Sequence, residues 1–261
     1  MTPVTLLRAS AAVLGLYAYL VALWFDSATI REWVNRPLGL GEDFGPLAIM
    51  LLLVCTGYTA AATGCHKQRL AIVTLPLLVA AALAAAVELA GWTVWTVPGG
   101  TPLVPLAWVT GLQLVGWLVA LDRRMWPTAV GLLAAIGVAC LFANGLPQLG
   151  RPLAFLPLVL VGHVVWRVLD RTLAVWAGML LGAGCFAATM GVDRSFPGLA
   201  QWWYPVAATY AVLLFLVAAR SGPTADTIAA YPATRWLGAA AEWLLLVGPV
   251  VGFAVLGLVG A

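Results

Sequence analysis

The chain has 261 residues, of which 63% are hydrophobic and only 9% are charged, and its formal net charge is +3. A soluble domain usually carries about a quarter charged residues, so a soluble fold of this size could not bury so much apolar surface. The small net charge is not typical of nucleic-acid binding, and two histidines without an acidic cluster argue against a metal site. Composition therefore predicts an integral membrane protein whose main partner is the lipid bilayer.

Nine apolar segments separated by short hinges are predicted to span the membrane, since a span needs about 20 mostly apolar residues. The segments are continuously apolar rather than alternating, which favours helices over a barrel. The fifth and sixth are short enough to be half-spans. The predicted fold is all-α, a polytopic membrane helix bundle of nine or ten transmembrane helices forming a single domain over residues 1–261. In chain order the segments are Val4–Phe25, Phe44–Gly64, Leu70–Trp92, Leu103–Leu121, Trp126–Leu141, Leu153–Trp166, Thr172–Met190, Trp202–Ala219 and Trp236–Gly260.

The basic residues of the hinges alternate between the two sides, and this asymmetry predicts the orientation. A cytoplasmic N-terminus puts most of them inside, and an odd number of spans then puts the C-terminus outside; a tenth helix would reverse that. Nearly all of them are arginine, as in GC-rich bacterial genomes, so we expect a bacterial plasma membrane. The predicted inner residues are Arg8, Lys67, Arg69, Arg123, Arg124, Arg167, Arg171, Arg220 and Arg235, and the outer ones are Arg31, Arg36, Arg151 and Arg194.

Ionisable side chains inside a bilayer are costly, so each of them marks a candidate site. Glu88 lies toward the outer end of the third segment, His163 near the inner end of the sixth, and Glu242 about two turns into the ninth. Glu242 and His163 therefore share a depth, where they form either an acid–base couple or a structural hydrogen bond. Both carboxyl groups are expected to be partly neutral at pH 7 unless a cation pairs with them.

Three segments carry a recognisable pattern in order. They are Arg8 with Tyr19 further along the first helix, FGPLAIMLLLVCTGYTAA from Phe44 followed by the basic hinge CHKQRL, and RWLGAAAEWLLLVGPVV from Arg235. This pattern resembles the acyltransferase-3 family of integral membrane acyltransferases. That family has Arg, ten residues and then His in its first helix. Its second helix ends in Ser-Gly-Phe, where Thr56-Gly57-Tyr58 stands here, before an Arg-rich hinge.

The chain departs from the family pattern at the positions that matter for catalysis. Tyr19 stands where the family has His, Ala241 and Glu242 stand where Ser-Tyr is usual, and Gly248 beside Pro249 replaces a final His. In the family the first-helix His is thought to activate the acceptor hydroxyl. A tyrosine hydroxyl is a far weaker base than an imidazole at neutral pH, so either another residue supplies the base or the chain is inactive.

The resemblance implies transfer of an acyl group to a hydroxyl of a glycan or lipid-linked acceptor, with acyl-CoA as the donor and no bound cofactor. Arg8 and Glu88 would bind substrate, and Glu242, His163 or Tyr19 would supply the catalytic groups. The second hypothesis is a catalytically inactive relative that acts as a membrane scaffold or partner subunit. The third is a small transporter, indicated by the intramembrane Glu88 and Glu242 and by Pro and Gly inside helices.

The arginine asymmetry predicts that Lys67, Arg124 and Arg171 face the cytoplasm and that Asp43 and Asp193 face outward. Single cysteines placed at these sites, in a chain whose native cysteines are replaced by alanine, should react with an impermeant thiol reagent only at the two aspartate positions in intact cells. Reaction of a cysteine at Arg124 from outside would contradict the orientation.

Overall fold

The fold of the described residues is entirely helical in the computed structural model of the chain. The structure describes residues 2–20, 32–33, 45–63, 125–145, 150–196, 203–220 and 222–259, with short helical pieces between 75 and 86. Within these ranges there is no β-strand, so the predicted all-α class is confirmed.

Eight α-helices are described, together with one 3₁₀ turn at Ala143–Gly145. Seven of the eight helices follow predicted segments. Helix α4 extends beyond its predicted range at both ends, so it is longer than the half-span that was considered for this segment. Leu103–Leu121 lies outside the described residues, and Leu70–Trp92 is described only in its short helical pieces. The helices are α1 Thr2–Leu20, α2 Gly45–Thr63, α3 Met125–Leu141, α4 Gly150–Leu169, α5 Val175–Ser195, α6 Trp203–Arg220, α7 Pro223–Ala230 and α8 Pro232–Val259.

Helix α7 lies inside the connection Arg220–Arg235, where hydropathy predicted no helix. Pro223 stands in its first turn with Asp226, and both residue types favour a helix N-terminus. It ends at Tyr231, whose backbone is extended (ψ 136°), because a residue before proline is disfavoured in the α-conformation. The axes of α6 and α7 make an angle of 102°, so α7 runs across the end of the bundle and packs on α1 and α8.

Helices α1 and α8 pack side by side and run in the same direction. A Cβ at Gly238 would lie 2.7 Å from the Thr5 carbonyl oxygen, and further along a Cβ at Gly248 would lie 3.9 Å from Leu16 Cδ2. Both residue numbers rise together, which defines a parallel pair. The first and last described helices therefore run in the same direction, which agrees with the direction expected for an odd number of helices.

The other described directions follow from contacts and chain length. Gly15 lies against Ala48, with a built Cβ 3.6 Å from Ala48 Cβ, while Arg8 lies near Cys55, so α1 and α2 are antiparallel. Helices α4 and α5 form a hairpin across a short turn. The connection from α5 to α6 is too short to return along α5, which is about 30 Å long, so α6 runs parallel to α4.

These directions gather four arginines at one end of the bundle, called here the basic end: Arg167, Arg171, Arg220 and Arg235. The opposite end carries Asp193 and Arg194 at the end of α5. The sidedness of these residues in a membrane stays a prediction.

Helix α4 stops at the basic end in a Schellman motif. The amide of Thr172 donates to the Arg167 carbonyl at 3.0 Å, and the amide of Arg171 donates to the Val168 carbonyl at 3.2 Å. Arg171 takes the left-handed position of this motif (φ 59°), which glycine usually fills. Its side chain is exposed at the basic end.

Helix α2 is the central element of the described bundle. Residues 47–57 are all buried, and α2 packs on α1, α4 and α6. Its apolar side chains cover every face because helices surround it, which explains why its sequence has no polar stripe. The run Leu51, Leu52 and Leu53 is buried almost completely.

One described helix, α5, is both long and apolar enough to cross a bilayer, with a mean hydropathy of 1.6. A second candidate exists if the bent pair Pro205–Arg220 and Pro223–Ala230 counts as one span. Several shorter stretches are also apolar: Val4–Tyr17, Leu47–Thr63, Ala129–Leu141 and Pro157–Leu169. Judged by helix length and hydropathy, the described residues do not establish nine membrane spans, and that number stays a prediction.

The crossing of α2 and α4 brings two backbones into direct contact at glycines. A Cβ at Gly57 would overlap the Val159 carbonyl oxygen, and a Cβ at Gly162 would overlap the Val54 carbonyl oxygen. The obstacle in each case is backbone, so an added methyl group must push the helices apart. Small residues allow this kind of close approach between helices.

We expect Gly162→Ala to lower the free energy of unfolding by about 1–3 kcal/mol, because overpacking of this contact separates α2 from α4. The matched control is Gly137→Ala on α3, where a Cβ meets nothing within 4 Å. That change should be neutral or stabilising by up to about 1 kcal/mol through helix propensity. Thermal unfolding of both variants in detergent measures the difference, and equal Tm values would contradict the close crossing.

Candidate functional site

The described site of highest charge density is an ion pair between α1 and α8. The guanidinium Nη2 of Arg8 donates to Oε2 of Glu242 across the interface of the two helices. The Arg8 side chain is 13% exposed and the Glu242 side chain 2%. A carboxylate so deeply buried requires a partner, because desolvation strongly disfavours an isolated charge.

The second contact of Arg8 fixes its guanidinium on α8. Its Nε donates to the Gly238 carbonyl oxygen at 2.8 Å. Gly238 precedes Glu242 by about one helical turn, so Arg8 spans two successive turns of α8. The close approach at Gly238, where a side chain would collide with Thr5, lets the arginine reach that carbonyl.

Helix α2 closes the third side of the ion pair. Cys55 is 1% exposed and lies within electrostatic reach of both Arg8 and Glu242. Ala241, next to the carboxylate on α8, is fully buried. The pair therefore lies among packed helices, and Arg8 keeps a small exposed fraction.

This arrangement limits what the two groups can do chemically. Glu242 as a general base would take up a proton beside a guanidinium that stabilises its charged form. Arg8 as a phosphate ligand would have only the donors that these contacts leave, since Nε–H and one N–H of Nη2 are engaged by the Gly238 carbonyl and the Glu242 carboxylate. Both contacts join α1 to α8, so the geometry is that of a clamp between two helices.

Of the other predicted site residues, only His163 has a described side chain. His163 is 3% exposed on α4, where its amide nitrogen would be 3.2 Å from a Cβ at Gly57. Helices α4 and α8 share at most a marginal interface among the described residues. The structure thus pairs Glu242 with Arg8, and the predicted couple of Glu242 with His163 stays a prediction.

Tyr19 lies in α1 but its side chain is not among those described, and Glu88 lies outside the described residues. Tyr19 follows Arg8 by eleven positions, which corresponds to about 16 Å along the axis of α1.

A cavity of about 260 Å³ lies between α4, α5 and α6. None of the predicted site residues lines it. The cavity is thus a feature separate from the ion pair in the described bundle.

Comparisons of the chain with protein-family models, with curated proteins and with solved structures find no match. The interpretation of function therefore depends on the geometry of the described residues, and membership of the acyltransferase-3 family stays a prediction.

The Arg8–Glu242 pair was not predicted from the sequence, although a signal for it was present. Each of the two lies near the inner start of an apolar helix, and their charges are opposite. A buried charge is best assigned together with its nearest countercharge at the same depth. The sequence predicted a partly neutral Glu242 unless a cation paired with it. Arg8 is that cation.

We expect Arg8→Met and Glu242→Leu each to destabilise the protein by about 3–5 kcal/mol, because each leaves an uncompensated buried charge. The double variant should recover a large part of that loss, since it removes both charges and keeps the apolar volume. Chemical denaturation of the four proteins in detergent gives the coupling energy. Arg194→Met, at the exposed end of α5, is the control and should change little; additive losses in the double variant would rule out the clamp.

Proposed function

We propose that this chain is a polytopic bacterial-membrane protein that acts as a non-catalytic scaffold or partner subunit. The observation that supports a non-catalytic role is the Arg8–Glu242 clamp. In it, the predicted substrate-binding arginine and the predicted catalytic carboxylate are paired with each other. The proposal treats the basic end as cytoplasmic, with nine spans and an outer C-terminus.

Exposed apolar side chains support the membrane location. Helix α5 exposes Trp176, Met179 and Leu180, each more than 60%, on a surface that water would not stabilise. Helices α3 and α6 expose further large apolar residues, including Leu141 and Val217. Hydrocarbon would cover these faces at no hydrophobic penalty.

The charge distribution supports the orientation. The basic end carries four of the described hinge arginines, and the opposite end carries Arg194 beside Asp193. An excess of arginine on the cytoplasmic side is the usual pattern in membrane proteins. Trp236 and Tyr231 are exposed at the same end, where aromatic rings favour the headgroup layer.

The second candidate is the acyltransferase itself, and one observation favours it. Arg8 is partly exposed and lies toward the basic end, where the phosphates of a cytoplasmic acyl-CoA would arrive. If substrate displaced Glu242 from Arg8, the freed carboxylate would be available as the base. The transporter alternative is weaker, because the described cavity is lined by no acidic or basic side chain.

A cell carrying the double variant Arg8→Met/Glu242→Leu separates the two candidates. The variant removes both chemical groups while keeping the helix contact, so a scaffold should function normally and an acyltransferase should be inactive. The measurement is the mass-spectrometric profile of acylated envelope glycans and lipids, beside the wild type and a strain lacking the gene.

The non-catalytic proposal expects the double variant to match the wild type when both are present in the membrane at equal levels. Loss of an acylated product to the level of the deletion strain, with normal protein level, would overturn it in favour of the enzyme. Arg8→Lys then serves as the test of phosphate binding, since lysine cannot copy two parallel hydrogen bonds.

A further inference from the structure

The cavity between α4, α5 and α6 is a groove, called here the α4–α6 groove, whose wall is nearly all hydrocarbon. It is lined by Pro157 and Val161 on α4, Gly182 and Phe186 on α5, and Leu213 on α6, among others. Such a wall suits an alkyl chain and offers no site for a charged solute.

The polar atoms in the groove are already satisfied. The Thr189 hydroxyl donates to the Cys185 carbonyl at 3.0 Å, and the Thr209 hydroxyl donates to the Pro205 carbonyl at 2.9 Å. Both bonds run back along the threonine's own helix. An apolar occupant of the groove would therefore leave neither hydroxyl unpaired.

One face of α6 connects the groove to the basic end. Thr209, Leu213 and Arg220 are spaced by four and seven residues, which places them in one stripe along the helix. Leu213 is 50% exposed and Arg220 is exposed beyond it. Val175 and Met179 continue the apolar surface on the neighbouring α5.

The distances match one membrane leaflet. Gly182 lies about 10 Å from the start of α5 at the basic end, and Leu213 lies about 10 Å from Arg220. One leaflet contributes about 15 Å of hydrocarbon to a bilayer core of about 30 Å. A lipid whose headgroup meets Arg220 would thus lay its chain along the stripe and into the groove.

We propose that the α4–α6 groove binds an acyl chain of an anionic phospholipid of the adjacent leaflet, with its phosphate held at Arg220 and the exposed Arg171. The anionic headgroup follows from the arginines at the basic end, and the acyl chain follows from the satisfied, apolar wall. The inference rests on the membrane location proposed above and is independent of whether the protein is catalytic.

The test uses native mass spectrometry of the full chain in detergent, after addition of phosphatidylglycerol or phosphatidylcholine with identical acyl chains. The wild type should retain one phosphatidylglycerol, with an affinity about ten-fold above that for phosphatidylcholine, because the choline cation of phosphatidylcholine neutralises the headgroup and is repelled by the arginines, whereas phosphatidylglycerol keeps its net negative charge. Equal retention of the two lipids would overturn the headgroup assignment.

Two matched pairs of variants locate the site. Gly182→Leu puts a branched side chain into the groove from a position where a Cβ has nothing within 4 Å, and it should abolish retention of the lipid. Gly137→Leu, an equally open glycine on α3, should leave retention unchanged. Arg220→Gln should remove the preference for phosphatidylglycerol, whereas Arg194→Gln at the opposite end should keep it.

Circular dichroism and lipid-free Tm values establish that the variants fold. Wild-type retention by Gly182→Leu, or equal losses in Gly182→Leu and Gly137→Leu, would overturn the site. Fractionation of the cells separates this failure from that of the proposed function: absence of the wild type from the membrane fraction would refute the membrane location itself.

Discussion

The contact on which the rest of the described bundle depends is the ion pair between Arg8 and Glu242. Two opposite charges buried between helices are costly to desolvate, and they are stable only when each meets the other in good geometry. That requirement fixes the rotation of α1 and α8 about their axes, and the absence of a side chain at Gly238 allows the two backbones to approach. Because the helices join the two ends of the chain, the pair also closes the bundle.

Helix α2 transmits this constraint to the remaining helices. Ala48 and Cys55 lie on the face toward α1, while Val54, Gly57 and Tyr58 lie on the face toward α4. The first face lies beside the Arg8–Glu242 ion pair, and on the second face glycines allow the backbones of α2 and α4 to touch. Tyr58 extends the second face to α6 by packing on Phe215, with the ring centroids 5.1 Å apart. Helix α2 thus contacts both the ion pair on one side and the close helix crossing on the other.

Hydropathy predicted most of the described helices because the length and apolarity of a segment are local properties of the chain. It did not predict α7, which has eight residues and is marked only by prolines at its two borders. The position of Glu242 in the first half of its helix was also readable, since rise per residue converts sequence position to distance. Its partner was not, because depth alone does not say which helices are neighbours. His163 and Arg8 were both plausible at that level, and only the packing of α1 on α8 favours Arg8.

The parallel pairing of α1 and α8 has a consequence for biosynthesis. Arg8 is separated from Glu242 by 234 positions, so at about 5–20 residues per second the ribosome needs roughly 10–50 s to produce the partner. In the membrane location proposed above, the guanidinium of α1 would have no countercharge from α8 during that time. An arginine near a helix end can extend its side chain to the headgroup layer. Arg8 lies close enough to the start of α1 for its guanidinium to reach that layer until α8 is made. In that membrane location, chains truncated before α8 would therefore hold α1 in a shallower position than chains that contain α8.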